Sequence, residues 1–396
     1  MKKYEKFFTT KLCIFIIVFF SILAILSARY AYSYDLINQD SDDYIAFAKD
    51  LKNYFTLPQL VAVRFFPHVL VFIISNIFST SIEFTFLFLN YFFFSLLALI
   101  CFFYFKQNKI DNILSLSLTG IAIFGNYAIL YNIFNFFQLV DLLTYIFIIL
   151  HLVFIFQNKP GILLIISLMS ITTKEHLLFL SIASFLIQYK EFKNKYSIFF
   201  LFLTLLVFII NFILTSNQSP SLESQDNFLN IIINILKNNE LYLASIKKCL
   251  IIDKNIFLIF PFIFIFFQYG FFNFIKKYFT YLFYMAIPIL YPVLMYHEMG
   301  QNFFRVFNQG FFIFILLSLV FLAQNIKNKT TKYILFLSPI SFMIDFLYVF
   351  INVKQHGFYD YFVNVRYNFF SGFYIFNIIF LIVLFLNKKF LKKFNL

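Results

Sequence analysis

Polar residues in this chain come in short bursts, separated by apolar stretches that recur along its whole length. The stretches are continuously apolar rather than alternating, and most are long enough for a helix to cross a hydrocarbon core of about 30 Å. Backbone in lipid must satisfy its own hydrogen bonds, so the pattern predicts a helical bundle and argues against a β-barrel. Spanning helices are expected at roughly 12–28, 84–105, 112–130, 137–156, 161–172, 177–189, 197–215, 256–271, 279–294, 306–323, 332–350 and 369–386. Those at 161–172 and 177–189 are short and need help from their flanks. The expected fold is all-α, a single polytopic transmembrane domain over 1–396 with about 12 spans.

The segment 59–79 is apolar enough to span, but Arg64, Pro67 and His68 lie near its start. Counting it as a span would put the tail lysines Lys388, Lys389, Lys392 and Lys393 on the side opposite the lysine-rich N-terminus. It is therefore expected to lie in or dip into the outer leaflet. Residues of about 29–83 then form a first outer loop with surface-lying helices. The longest polar segment, about 216–255, is a second outer loop with an amphipathic portion near 227–250.

Composition fits this picture. The chain is 62% hydrophobic and 24% aromatic, with 68 Phe, and its mean hydropathy is +0.85. A net charge of +13 raises the question of nucleic acid. The lysines, however, cluster between apolar runs as the positive-inside rule expects, so membrane lipid and not nucleic acid is the expected partner. With both termini in the cytoplasm, most basic residues fall on the inner side and most acidic ones on the outer side of the cytoplasmic (inner) cell membrane. The first apolar run is long for a signal peptide and lacks a small-x-small cleavage site, so it is read as an anchor. Cys13, Cys101 and Cys249 form neither a disulfide framework nor a metal pattern.

This orientation collects the chemistry on one face. Asp40-Ser41-Asp42-Asp43-Tyr44 holds three acids within four positions, in a chain with only 18. Asp40, Tyr44 and Ala48 are four apart, and Asp40 or Ser41 reads as a helix N-cap. Capping needs one such residue. A carboxylate at a helix start in apolar surroundings can also take a proton from a hydroxyl. Asp40 is the favoured base, and Asp42 and Asp43 are the other catalytic candidates. No cofactor is required, although Asp40 and Asp42 could hold a divalent metal.

Thr172-Thr173-Lys174-Glu175-His176 interrupts two short apolar runs. A hairpin turn with a snorkelling lysine is the plain reading, but a turn has no need of Lys, Glu and His in succession. Lys174 could hold a phosphate as a point charge, positioned by Glu175. His297-Glu298 is not a zinc HExxH motif, because Gln301 stands four after His297. Arg305 heads the next span, where arginine can clamp phosphate bidentately or simply anchor the interface. Arg64 is a third phosphate candidate, with snorkelling as its rival. Tyr44, Glu175, His176, His297 and Glu298 complete the set as substrate contacts. Asp345 within a span is a functional candidate because buried charge is costly, whereas Asp141 and His151 read as polar contacts between helices.

The pattern resembles the membrane-embedded glycosyltransferases of the GT-C type. Asp40, Tyr44 and Ala48 match a D-x-x-x-Y-x-x-x-A type helix in the first outer loop. Arg64 and Pro67 are similar to a basic-Pro motif on the surface helices that follow. Thr173-Lys174 looks like the Thr-Lys pair between two short spans of the aminoarabinose and protein mannosyl transferases, and Glu298 and Arg305 have the place of a later outer loop. The chain lacks a Lys-Pro-Pro-Leu motif and a large C-terminal soluble domain. The resemblance implies a polyprenyl-phosphate-linked sugar as donor and an acceptor hydroxyl at the outer face, in cell-surface glycan or lipid glycosylation. Asp40 would be the base, and Lys174, Arg305 and Arg64 would hold the donor phosphate. A multi-span transporter or lipid-linked glycan flippase fits the span count equally well, but predicts inverted repeats and polar residues near the midplane. No repeat is visible in the chain. Sugar, acceptor, stereochemistry and oligomeric state are not encoded legibly.

Overall fold

The computed structural model describes residues 9–31, 39–55, 62–124, 126, 129, 139–215, 270–294 and 303–325. The expected spans 332–350 and 369–386, nearly all of 256–271, the 216–255 loop, His297, Glu298 and Asp345 lie outside these residues.

Every regular element among the described residues is a helix. They are α1 (Thr10–Ala31), α2 (Gln39–Lys49), a 3-10 turn (Leu51–Phe55), α3 (Phe65–Phe78), α4 (Ile82–Gln107), α5 (Asn112–Thr119) running into a π-helical turn (Gly120–Phe124), α6 (Leu139–Phe156), α7 (Pro160–Ile171), α8 (Leu177–Phe192), α9 (Tyr196–Thr215), α10 (Phe271–Leu294) and α11 (Phe303–Asn325). Among the described residues, α4, α6, α9 and the Asn308–Asn325 part of α11 are long and apolar enough to cross a membrane. Shorter apolar helices accompany them at Thr10–Leu26, Phe65–Phe78, Asn112–Phe124 and Pro160–Ile171. These are the helices of a membrane protein.

Local chemistry sets the boundaries. Ser81 caps α4, its Oγ accepting the Phe84 N–H at 3.2 Å, and Asp111 caps α5, accepting the Leu114 N–H at 2.8 Å. Pro160 stands at the start of α7, where its missing N–H costs nothing. Ser79 ends α3 in a left-handed conformation, φ 50°. The expected 112–130 span gives way sooner than its hydropathy suggests. The hydroxyls of Ser117 and Thr119 bond back to the Ile113 and Ser115 carbonyls, a contact that bends helices, and Gly120 follows. The span expected at 279–294 begins earlier, at Phe271, and takes in Lys276 and Lys277. Lys277 lies over the Tyr278 ring and reaches Gln324 Oε1 at 2.5 Å, so an apolar stem carries its charge to the end of the bundle.

Helices α4, α6, α8 and α11 run in one direction and α9 in the other. At one end, Gln324 bonds the Asn108 carbonyl and Asn194 bonds Asn158. At the other end, the α7–α8 turn meets the start of α6, the start of α11 and an arm made of α2, the 3-10 turn and the stretch leading into α3. The arm joins that turn through the Phe66 N–H, which donates to the Thr172 carbonyl at 3.1 Å. The segment between α1 and α4 thus carries short helices packed against one end of the bundle. Helix α6 is buried on nearly every face, whereas α9 leaves Phe199, Phe202, Ile209 and Ile213 exposed. Helices in lipid gain little from hydrophobic burial against each other, so packing and polar contacts hold them. His151 bonds Ser184 at 2.9 Å and lies 3.4 Å from Ser170, joining α6, α8 and α7 as a polar contact between helices. Gln188 donates to the Phe154 carbonyl at 3.0 Å. Each such bond contributes on the order of 0.6 kcal/mol.

Removing the Asp111 cap tests this account of the boundaries. Asp111→Ala should cost about 1 kcal/mol and Asp111→Asn much less, read as unfolding midpoints in detergent. Equal losses would assign Asp111 a role other than capping.

Candidate functional site

Asp40 lies on the first turn of α2. Further along, Asp42 is exposed and Asp43 half-buried, while Tyr44, Phe47 and Ala48 are buried. Asp42 thus lies off the face of α2 that packs inward. That face meets α3. The rings of Tyr44 and Phe47 each lie 4.9 Å from the ring of His68, which is fully buried. His68 Nδ1 is 2.7 Å from the Arg64 carbonyl. A carbonyl can only accept, so Nδ1 is assigned the proton.

Arg64 therefore leaves a backbone held by His68. Its guanidinium grips Glu175 in a two-pronged pair, Nε to Oε2 at 2.9 Å and Nη2 to Oε1 at 2.8 Å. Nη1 stands 3.5 Å from the Tyr44 hydroxyl. The two charged side chains are 17% and 19% exposed, so water reaches this pair. Burial alone would raise the Glu175 carboxyl. The Arg64 charge and its hydrogen bonds, with His176 and Lys174 nearby, outweigh burial and hold it well below the usual carboxylate range.

Lys174, the preceding residue, points the other way, into the bundle. Its ammonium meets Asp141 Oδ1 and donates to Gln309 Oε1 at 3.0 Å, and Gln309 Nε2 donates to Asp141 Oδ1 at 2.9 Å. The Lys174 and Asp141 side chains are 3% and 1% exposed, so the pair is dry. One residue earlier on α11, Asn308 accepts from Tyr145 Oη at 2.9 Å and from Asn126 Nδ2 at 3.1 Å. His176 is buried beside this turn. Burial, then the Lys174 charge, lowers its pKa to about 3. At neutral pH it offers a neutral imidazole for hydrogen bonding and no charge for a phosphate.

Of the candidates named from the sequence, Tyr44, Arg64, Lys174, Glu175 and His176 converge at this end of the bundle. Arg305 sits in the first turn of α11, just ahead of Asn308 and Gln309. The side chains of Asp40 and Arg305, and the whole of His297 and Glu298, lie outside the described set. Among the described residues no group of three or more His, Cys, Asp or Glu could hold a metal. Both cations that converge here already have carboxylate partners, so an incoming anion must share or displace Glu175 at Arg64 and Asp141 at Lys174.

The sequence reading assigned no site role to Asp141, Gln309, Asn308 or His68. A signal existed for one of them. An acid three residues into an apolar run needs a cation nearby, and Asp141 supplied that need without naming Lys174, 33 positions away.

Breaking a buried pair leaves an uncompensated charge, so Asp141→Asn should destabilise by about 3–5 kcal/mol. The double change Asp141→Leu with Lys174→Met should recover most of that loss in a denaturation midpoint. Additive losses would mean that the two residues act separately. A second check follows from His176, whose folded pKa lies below its unfolded value of about 6.5. Its contribution to stability is full above about pH 6.5 and is lost as pH falls toward 3. His176→Gln should flatten thermal stability over that window, and an unchanged slope would place the titration elsewhere.

Compared with protein-family models, with curated proteins and with solved structures, the chain matches none.

Proposed function

We propose that this protein is a GT-C-like membrane glycosyltransferase of about 12 spans with both termini in the cytoplasm, moving a sugar from a polyprenyl-phosphate donor to an acceptor hydroxyl at the outer face of the cytoplasmic membrane. The observation that carries the reading is the junction of the first-loop arm with the α7–α8 turn. There the acidic start of α2 leads into Tyr44 and Arg64, and these meet Glu175 beside Lys174. A purely structural bundle needs no such meeting of arm and turn.

In this mechanism Asp40 takes the proton from the acceptor hydroxyl, with Asp42 or Asp43 as its substitute. The acceptor oxygen attacks the anomeric carbon. The bond from that carbon to the lipid phosphate breaks, and the phosphate leaves with the electron pair. Negative charge grows on the leaving group, so a fixed cation aimed at it contributes most. Arg64 is the best placed among the described residues, because its Nη1 is not engaged by Glu175. Lys174 reaches a phosphate only when its pair with Asp141 opens, and Arg305, in the first turn of α11, is the third candidate cation. Tyr44, Glu175 and His176 face the approach of sugar and acceptor, and His297 and Glu298 are assigned as further substrate contacts from the sequence. The chain's own carboxylates and cations suffice for these steps without a cofactor.

One observation favours the transporter or flippase reading. Asp141, His151, Ser170, Ser181, Ser184 and Gln188 place buried polar groups along α6, α7 and α8, as a substrate or ion path would need. Their mutual bonds also explain them as contacts between helices, which leaves the first reading ahead.

Membrane vesicles supplied with radiolabelled polyprenyl-phosphate hexoses separate the two. Wild-type protein should transfer sugar, and Asp40→Asn should lose about 10²–10⁴-fold with insertion unchanged. Transfer that survives in the variant would move the base to Asp42 or Asp43, or make the cluster a cap. Failure of the wild type with every donor, together with uptake by proteoliposomes, would establish the transporter.

A further inference from the structure

The arm and α9 face each other across a cleft of about 380 Å³. Leu51, Phe65 and Val69 form one wall, and Val207, Ile210 and Leu214 form the other. A polar bridge crosses it: Tyr54 Oη donates to Asn211 Oδ1 at 2.7 Å, and Asn211 Nδ2 donates to the Val63 carbonyl at 3.3 Å. Asn211 thus commits its amide to the bridge, and the rest of the named lining is hydrocarbon or aromatic. Water is held in a cavity by two to four polar partners, which these walls do not supply. Close-packed protein does not leave dry voids of this size.

The cleft's outer rim is apolar and exposed. Ile210 and Leu214 are 48% and 57% exposed, and they continue into Leu206, Ile209 and Ile213, exposed on the same helix. Helix α9 is apolar enough to cross a membrane, and most of it faces outward. The cleft therefore opens sideways onto the lipid-facing surface. It follows α9 from Val207 to Leu214, about 10 Å at 1.5 Å per residue, and ends one residue before the helix does. A chain entering from the bilayer would have its head group level with the helix end and its tail lying inward along the cleft.

We propose that this cleft is a binding site for one acyl chain of a bulk membrane phospholipid, which completes the packing between the arm and α9. Mass action selects the source, because the surrounding bilayer presents phospholipid chains in great excess over any rare lipid. The proposal is independent of the glycosyltransferase reading. Its consequence is that the seat of Arg64, one residue before Phe65 in the cleft wall, depends on the lipid around the protein.

The full-length protein in nanodiscs made with a phospholipid carrying a diazirine on one acyl chain tests this. After photolysis and peptide mapping, label should concentrate on Val207, Leu214 and Leu51, several-fold above Phe199 and Phe202, which are more exposed on α9. Leu51→Trp, or the milder Val207→Phe, should fill the cleft and lower its label several-fold while Phe202 labelling holds. Uniform labelling along α9 with none on the arm would overturn the proposal in favour of ordinary surrounding lipid. Displacement of the cleft label by a small added fraction of polyprenyl phosphate would overturn it in favour of a rare-lipid site.

Discussion

Two consecutive residues of one turn hold this end of the molecule together by pulling in opposite directions. Lys174 reaches inward to Asp141 and Gln309, and Glu175 reaches outward to Arg64. The inner pair is dry, so neither charge can be left alone without a large loss. The outer pair is wet enough to be shared. A rigid contact to the bundle and an exchangeable contact to the arm thus sit side by side. Much of the rest depends on this turn: the place of the arm, the start of α6, and the pinning of α11 through Gln309 and Asn308.

The turn also changes how a cation-rich site works. Lysine and arginine in outer loops read from sequence as free positive charge waiting for a phosphate. Once folded, each has a carboxylate against it. Such pairing keeps this end of the bundle near neutral and fixes the direction in which the guanidinium points. An anion arriving at Arg64 would have to displace Glu175. A buried neutral His176 beside the pair adds hydrogen-bonding capacity without adding charge.

The arm is seated by different forces. His68 organises its inner face by packing its ring against Tyr44 and Phe47 and by binding the Arg64 carbonyl. Towards α9 the arm meets the bridge through Asn211 and an apolar gap. One flank is thus fixed by aromatic packing and ion pairing, and the other borders the lipid phase. The membrane becomes part of what positions the arm, because apolar groups at that depth have hydrocarbon as their neighbour.

How far the chain could be read without its structure follows from the range of the forces involved. Continuous apolar runs, the caps at Ser81 and Asp111 and the break at Pro160 act over a few residues, so α4, α6, α7, α8 and α9 stand close to where hydropathy puts them. The early end of α5 and the early start of α10 escaped that reading, since hydroxyl back-bonding bends a helix without lowering its hydropathy, and a snorkelling lysine lowers hydropathy without ending the helix. That Arg64, Lys174 and Glu175 gather on one face could be argued from alternating spans. Which carboxylate each cation takes could not, because Asp141 lies 33 positions from Lys174 and Glu175 lies 111 from Arg64. The sequence by itself determined an all-helical, lipid-facing chain with its charges sorted to the helix ends, because both properties follow from the cost of exposing polar groups to hydrocarbon. Only the tertiary structure decided the ion-pair partners, the role of His68 and the cleft beside α9, because these depend on the rotation and spacing of helices packed against one another, which no local pattern specifies.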